Sequence, residues 1–355
     1  MKDAIIVGFG LAGFHYALEL QKNKKDFLII SNEREGASKN AGGVFNPTVL
    51  KRYTMSWRGE EFFDQAISTY NLFEEKYNIN VFQKIPINYY FNKLSNHNDW
   101  TVASNRKGLD RFLSPLIING VNKGLNANFG YAKLQNVGKL DISKTLEGFK
   151  KKLDSNSFSQ KEFDYGELKF INNKIEYKDV KARYIVFCEG YQLRRNPWFS
   201  YLPLEGSKGE FLHIRSKVLS QKKIIKAGLF IVPIEKDLFW VGANFDRKDK
   251  TSKPTKSGKD WILVKLKSLL NSPFEVVDHK AAIRPTVKDR RPLLGAHPKQ
   301  KNLYIFNGLG TRGVLMGPLL AKWMYEFVVE KKKLYPELAI NRFETYFSNP
   351  KNIDV

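Results

Sequence analysis

The sequence predicts a chain of α/β and α+β type: a nucleotide-binding α/β domain, discontinuous in sequence, with an antiparallel-sheet domain inserted into it. Three observations lead there. A β-α-β pattern with a glycine-rich turn opens the chain. A second strand, glycine turn and helix lie near its C-terminal end. Short, alternating strands separated by turns dominate between them. The 355 residues exceed one core and suit about two domains at roughly 150 residues each. The expected division gives 1–55, 130–205 and 278–355 to the nucleotide-binding domain, and 56–129 and 206–277 to the inserted substrate domain.

The elements follow in order. Ala4 to Val7 is an apolar run ending in glycine, as a buried parallel strand should be. Leu11 to Gln21 has helical spacing, with Leu11, Phe14, Leu18 and Leu20 apolar. Phe27 to Ile30 is a second buried strand, and a polar loop runs from Ser31 to Gly43. Residues 60–77 form an amphipathic helix with Phe62, Phe63, Ala66, Tyr70 and Phe73 on one stripe. Residues 81–135 alternate like strands and turns. A strand and then a helix fill 138–153, with Asp141 as N-cap. Short strands occupy 168–190, ending at Gly190, and recur at 210–214, 229–232 and 239–243. Helices are expected at 261–270 and from Pro318 to Glu330, the second following the strand Leu303 to Phe306 and the turn Gly308 to Gly313.

Gly8-Phe9-Gly10-Leu11-Ala12-Gly13 is G-x-G-x-x-G placed directly between a predicted strand and a predicted helix. Gly8 permits the tight turn, Gly10 lets backbone approach a pyrophosphate, and Gly13 allows close helix–strand packing. Backbone N–H groups of Leu11 and Ala12 then point from the helix start, where the dipole favours phosphate. This is a Rossmann-like dinucleotide site. The ribose partner, normally an acidic residue ending the second strand, falls at Ser31; either Glu33 reaches the ribose from the loop or Ser31 and Asn32 bond it neutrally. This unit alone does not separate NAD from FAD.

Net charge is +23. Such a surface attracts polyanions such as RNA, or an anionic membrane. The lysines are scattered and no aromatic-basic recognition motif occurs among them, so nucleic-acid contact stands beside a bland lysine-rich composition. One cysteine, Cys188, excludes an internal disulfide and fits a reducing compartment. The first residues lack a basic leader region, and no stretch approaches the ~20 apolar residues that span a bilayer; a cytoplasmic protein without a membrane span is expected. The histidines have no ligand spacing, so no metal is expected.

Three separated segments carry a resemblance. They are Gly36 to Pro47 (GASKNAGGVFNP), Ile283 to Gly295 (IRPTVKDRRPLLG) and Asn307 to Val314 (NGLGTRGV). Together they resemble the flavin-contact loops of the D-amino-acid oxidase (glycine/sarcosine oxidase) superfamily, in order across almost the whole chain. The C-terminal half, through Val232-Pro233, Val241 to Asp246 and Gly310 to Gly313, is similar to the oxidase domain of the bifunctional enzyme that matures the aminomethyl group on tRNA wobble uridine. The N-terminal half looks like stand-alone FAD-dependent oxidoreductases of undefined substrate.

The resemblance implies non-covalent FAD. Its contacts would be Gly8, Gly10, Leu11, Ala12, Gly13 and the ribose candidates, then Ser38, Ala41, Gly42 and Gly43, then Gly190, and finally Gly308, Gly310, Thr311, Arg312, Gly313 and Val314. Arg284 sits where similar enzymes clamp a substrate carboxylate; the alternative is an ion pair with Asp289. Phe230 stands where such oxidases often carry a tyrosine beside the substrate, so the resemblance does not imply glycine or a simple D-amino acid. Lys208-Gly209-Glu210 is another candidate wall. The implied activity is FAD-dependent oxidation of a C–N bond in an amine or amino-acid-like small molecule, by hydride transfer to flavin N5. A tRNA-modifying oxidase acting on a carboxymethylaminomethyl side chain, and a flavin-binding module without activity, remain open. The sequence does not fix the oligomeric state or the electron acceptor.

Overall fold

The computed structural model describes residues 1–32, 34–119, 124–171 and 174–348. Two large sheets organise it. In the first, Lys2–Val7 pairs in parallel with Phe27–Ile30 on one side and with Val180–Phe187 on the other. Leu303–Asn307 adds in parallel beyond Val180–Phe187. These strands are near-continuous apolar runs because both faces are covered. Ala4, Ile6 and Val186 belong to one core cluster, Ile5, Ile185 and Phe187 to the other.

The second sheet runs in the order Glu275–Arg284, Ser207–Arg215, Leu238–Gly242, Leu229–Glu235, Ile224–Ala227, Ile87–Tyr90, Tyr131–Leu134 and Leu113–Ile118. Neighbours are antiparallel except where Ile224–Ala227 lies parallel to Ile87–Tyr90. Those two strands come from distant parts of the chain, so no hairpin dictates their direction. Helix Lys256–Leu269 covers one face, with Ile262 and Leu266 in a cluster with Leu212, Ile231 and Val241. Thr255 caps that helix by accepting from Gly258 N at 3.0 Å.

The expected strands and helices form, and Asp141 caps its helix as read, its Oδ1 accepting from Lys144 N at 3.0 Å. Three expectations differ. Residues 96–104, expected among strands and turns, form a helix, Asn96–Ser104. Its only large buried side chain is Trp100, so the apolar period is too sparse to see. Helix Lys256–Leu269 starts five residues before the expected Trp261, in a polar first turn. The last long helix is Gly313–Val328, with Pro318 inside it rather than at its start. Proline has no N–H for the carbonyl four residues back, which is Val314 O. Tyr70 supplies the missing donor, its hydroxyl donating to Val314 O at 2.5 Å.

Helix Leu11–Lys22 is pressed onto the parallel sheet at Gly13. A Cβ there would stand 2.1 Å from Gly8 O. Past the end of Val180–Phe187, the Glu189 carboxylate accepts from Tyr165 Oη at 2.5 Å and Asn196 Nδ2 at 2.8 Å. Burial nevertheless dominates and pushes its pKa up to about 7.

Two outcomes follow. Gly13→Ala should lower unfolding free energy by about 2 kcal/mol or more, because the clash is with backbone that cannot rotate away; denaturant titration of the apoprotein reads it. Glu189 holds a proton in the folded chain that the unfolded chain releases above its ordinary pKa of about 4.5. Stability should therefore fall as pH rises from about 4.5 to 7, by at most about 3 kcal/mol. Comparing denaturation across that window, Glu189→Gln should show a shallower decline than the parent; an equal decline would contradict the raised pKa.

Candidate functional site

The carboxyl ends of the parallel strands and one face of the second sheet enclose a cleft of about 1570 Å³. Pockets for single small ligands hold roughly 300–1,000 Å³, so this one has room for a dinucleotide and a substrate together. Ligands of open α/β sheets sit at this end of the strands.

The predicted residues converge here. Gly8, Gly10, Leu11, Ala12, Ser31, Asn32, Ser38, Ala41, Gly42, Gly43, Gly190, Gly310, Thr311, Arg312, Gly313, Val314, Phe230 and Arg284 all line this cleft. Gly13 and Gly308 do not; they stand one layer behind, Gly13 against Gly8 and Gly308 against Val287 and the backbone at 292–293. Glu33 lies outside the described residues. Among the described residues no group of three His, Cys, Asp or Glu side chains is placed to hold a metal ion.

At the helix start, Leu11 N donates to Ser38 Oγ at 3.0 Å, which ties the Gly36–Gly43 loop to the phosphate-cradling turn. Trp240 lies over Gly42 and donates from Nε1 to Asn40 O at 3.1 Å. Backbone is open where a flavin would approach. Gly190 has φ +58° with nothing within 4 Å of an added Cβ, and Gly310 has φ +55° with only Thr286 Cγ2 at 3.6 Å. The residues present therefore fit a bound dinucleotide.

Two half-buried guanidinium groups, Arg312 and Arg284, border the cleft without a carboxylate among the described residues. Arg312 donates to Asn46 O at 3.0 Å and Thr48 O at 3.1 Å, joining the C-terminal loop to the segment after Gly43. Arg284 donates only at 3.3–3.4 Å, to Lys208 O and Asn244 O, and lies 4.3 Å from the Phe245 ring centroid. Desolvation lowers both to about 10, so both stay charged at neutral pH. The alternative pairing of Arg284 with Asp289 does not occur: Asp289 bonds Arg342 at 2.8 Å. Gly209 admits the Arg284 guanidinium, since a Cβ there would stand 2.0 Å from Nη2.

Lys208 and Glu210 flank that glycine and are both buried. Lys208 Nζ donates to Asp249 and to Lys253 O, each at 2.5 Å. Glu210 accepts from Thr255 N at 2.8 Å and Thr255 Oγ1 at 2.7 Å, with His279 Nε2 2.9 Å away. These bonds pin the strap 246–255 along the rim of the cleft.

Sequence reasoning missed Lys226, Trp240 and Phe245 as lining residues. Alternation within each strand assigns two faces, but only cross-strand register tells which face meets the cleft.

A model of the FAD-dependent oxidoreductase family DAO matches residues 3–327. Glycine oxidase of Bacillus subtilis (strain 168) is 26% identical over 174 residues, 47% of this chain and 46% of that protein. The tRNA 5-methylaminomethyl-2-thiouridine biosynthesis bifunctional protein MnmC of Saccharophagus degradans is 22% identical over 90% of this chain and 51% of its own length. The chain thus spans about half the length of these two curated relatives. Among solved structures, glycine oxidase from Geobacillus kaustophilus superposes with a TM-score of 0.75 at 19% identity, covering 96% of this chain and 97% of that one. Iminodiacetate oxidase from Chelativorans sp. BNC1 does so with 0.77 at 14%, covering 96% and 98%. With a family match across nearly its whole length and a fold shared with these oxidases, the chain belongs to the DAO family and is an FAD-dependent oxidoreductase.

Proposed function

We propose that the chain oxidises the C–N bond of an amine or amino-acid-like small molecule, with hydride leaving the carbon beside a neutral nitrogen and the resulting imine hydrolysing in water. The observation that carries this is Arg284. It is a desolvated guanidinium on the cleft wall whose partners are two distant carbonyls and an aromatic face. A substrate carboxylate supplies the charge-assisted, bidentate partner this geometry lacks. Held there, the substrate cannot tumble, and the fixed orientation accounts for much of the rate. Bound flavin supplies the two-electron acceptor.

Most of the cofactor contacts read from the sequence line the cleft; the Gly8 to Ala12 turn and Ser38 would meet the pyrophosphate, and Ala41 to Gly43 and Gly310 to Val314 the ring. Arg312 is held by Asn46 O and Thr48 O, so its charge stiffens the junction of these two loops. Phe230 and Trp240 exclude water from the face of the second sheet, which favours the unprotonated amine.

A second reading has one observation behind it. The cleft is rimmed by exposed Arg34, Lys51, Arg194, Arg195, Arg247 and Lys248. Such a rim suits an amine carried on RNA, as the likeness to the tRNA-modifying protein suggests.

The two are separable. Anaerobic flavin reduction by secondary amines and amino acids should proceed with the parent and slow about a hundredfold in Arg284→Ala, with FAD content unchanged. Arg284→Lys should recover only part, because lysine lacks the planar fork. Equal rates in parent and Arg284→Ala would remove the carboxylate role. For the RNA reading, Kd for tRNA should weaken steeply between 50 and 200 mM salt, by about tenfold or more; a salt-independent Kd, or no binding, removes it.

A further inference from the structure

Lys226 has no place in the scheme above. It stands opposite Phe230 in the sheet register; Phe230 stands opposite Gly242, and Gly242 opposite Phe211. All four line the cleft. Nζ donates to Gly228 O at 3.1 Å and lies 4.6 Å from the Phe230 ring centroid. Among the described residues no carboxylate pairs with it. The charge acting on it is another cation, Lys265, which adds to burial in lowering its pKa to about 8. A lysine that merely covered apolar surface would extend its ammonium into water; this one folds it over an aromatic ring inside the cleft.

The register also places Lys226 relative to Arg284. Phe230 faces Gly242, and two residues further on the Asn244 carbonyl accepts from the Arg284 guanidinium. Lys226 and Arg284 sit on strands four places apart in the sheet order, but the guanidinium lies over Gly209 and Nζ against Phe230, whose strands are two places apart, so the two charged groups stand on the order of 10 Å apart. Phe230 lies between them as an apolar floor.

We infer that Lys226 is the contact for a second acidic group on the substrate, so that the enzyme prefers amino diacids: amines with one carboxylate for Arg284 and another carboxylate reaching Lys226 across Phe230. This rests on the oxidase reading for its chemistry, though not for its binding. A single carboxylate leaves one desolvated cation without an anion. A diacid neutralises both, and the spacing admits the two carboxylates only when a short amine-bearing chain separates them.

The test has two arms, both on FAD-loaded protein. In the first, kcat/KM is compared for iminodiacetate and sarcosine, which differ in one carboxylate. The parent should favour the diacid by about tenfold or more, and Lys226→Met should reduce that ratio by about tenfold to a hundredfold. In the second, calorimetry measures binding of the unreactive diacid thiodiacetate against methylthioacetate, with Lys226→Met and, to control for packing, Lys226→Arg. Arg should retain the diacid preference that Met loses. If both acids bind alike in parent and Lys226→Met, the subsite does not exist, whatever the oxidase assay shows. If thiodiacetate binding depends on Lys226 while no amine is oxidised, the subsite stands and the oxidase reading falls. If only a phosphate-bearing RNA, and neither diacid, responds to Lys226→Met, the second acid is a nucleic-acid phosphate and the amino-diacid inference is overturned.

Discussion

The contact of Gly13 with Gly8 fixes most of what matters here. It holds the first helix hard against the first strand, with an added methyl group only 2.1 Å from a carbonyl oxygen. That closeness sets the helix start at the floor of the cleft, where Leu11 N meets Ser38. The last long helix then packs on the first, and its glycine-rich start arrives beside the same floor. Three turns far apart in sequence share one cavity because glycine lets one helix lie this close to one strand.

Sequence made the parallel core and the phosphate turn legible because buried strands and glycine spacing leave local signals. Ala4 to Val7 is readable alone, as a run of four apolar residues ending in glycine. Helix Asn96–Ser104 was not, because one tryptophan and two small residues carry its burial. Pro318 misplaced a helix start because its missing hydrogen bond is made good by Tyr70, 248 positions away in the chain. The site followed the same rule. Glycines and Arg284 stood in recognisable segments, whereas Lys226 acquires meaning only through four strands in register.

Charge is distributed with some economy across the cleft. Arg312 spends its donors on carbonyls and braces two loops. Arg284 keeps only long contacts, Lys226 bonds one carbonyl, and both line the cleft without a carboxylate among the described residues. Desolvating a cation costs several kcal/mol unless something opposite repays it, so the two weakly held groups are the ones that a ligand changes most.

The strap 246–255 has a kinetic consequence. Its fastenings, Lys208 with Asp249 and Glu210 with Thr255, are made by residues shut away from solvent on one side at least. Mobile ions screen exposed charges over about 10 Å at 0.1 M, yet hardly reach such enclosed pairs. Raising ionic strength should thus slow the capture of anions by the cationic rim while leaving the gateway's shape unaltered: fewer encounters through the same door.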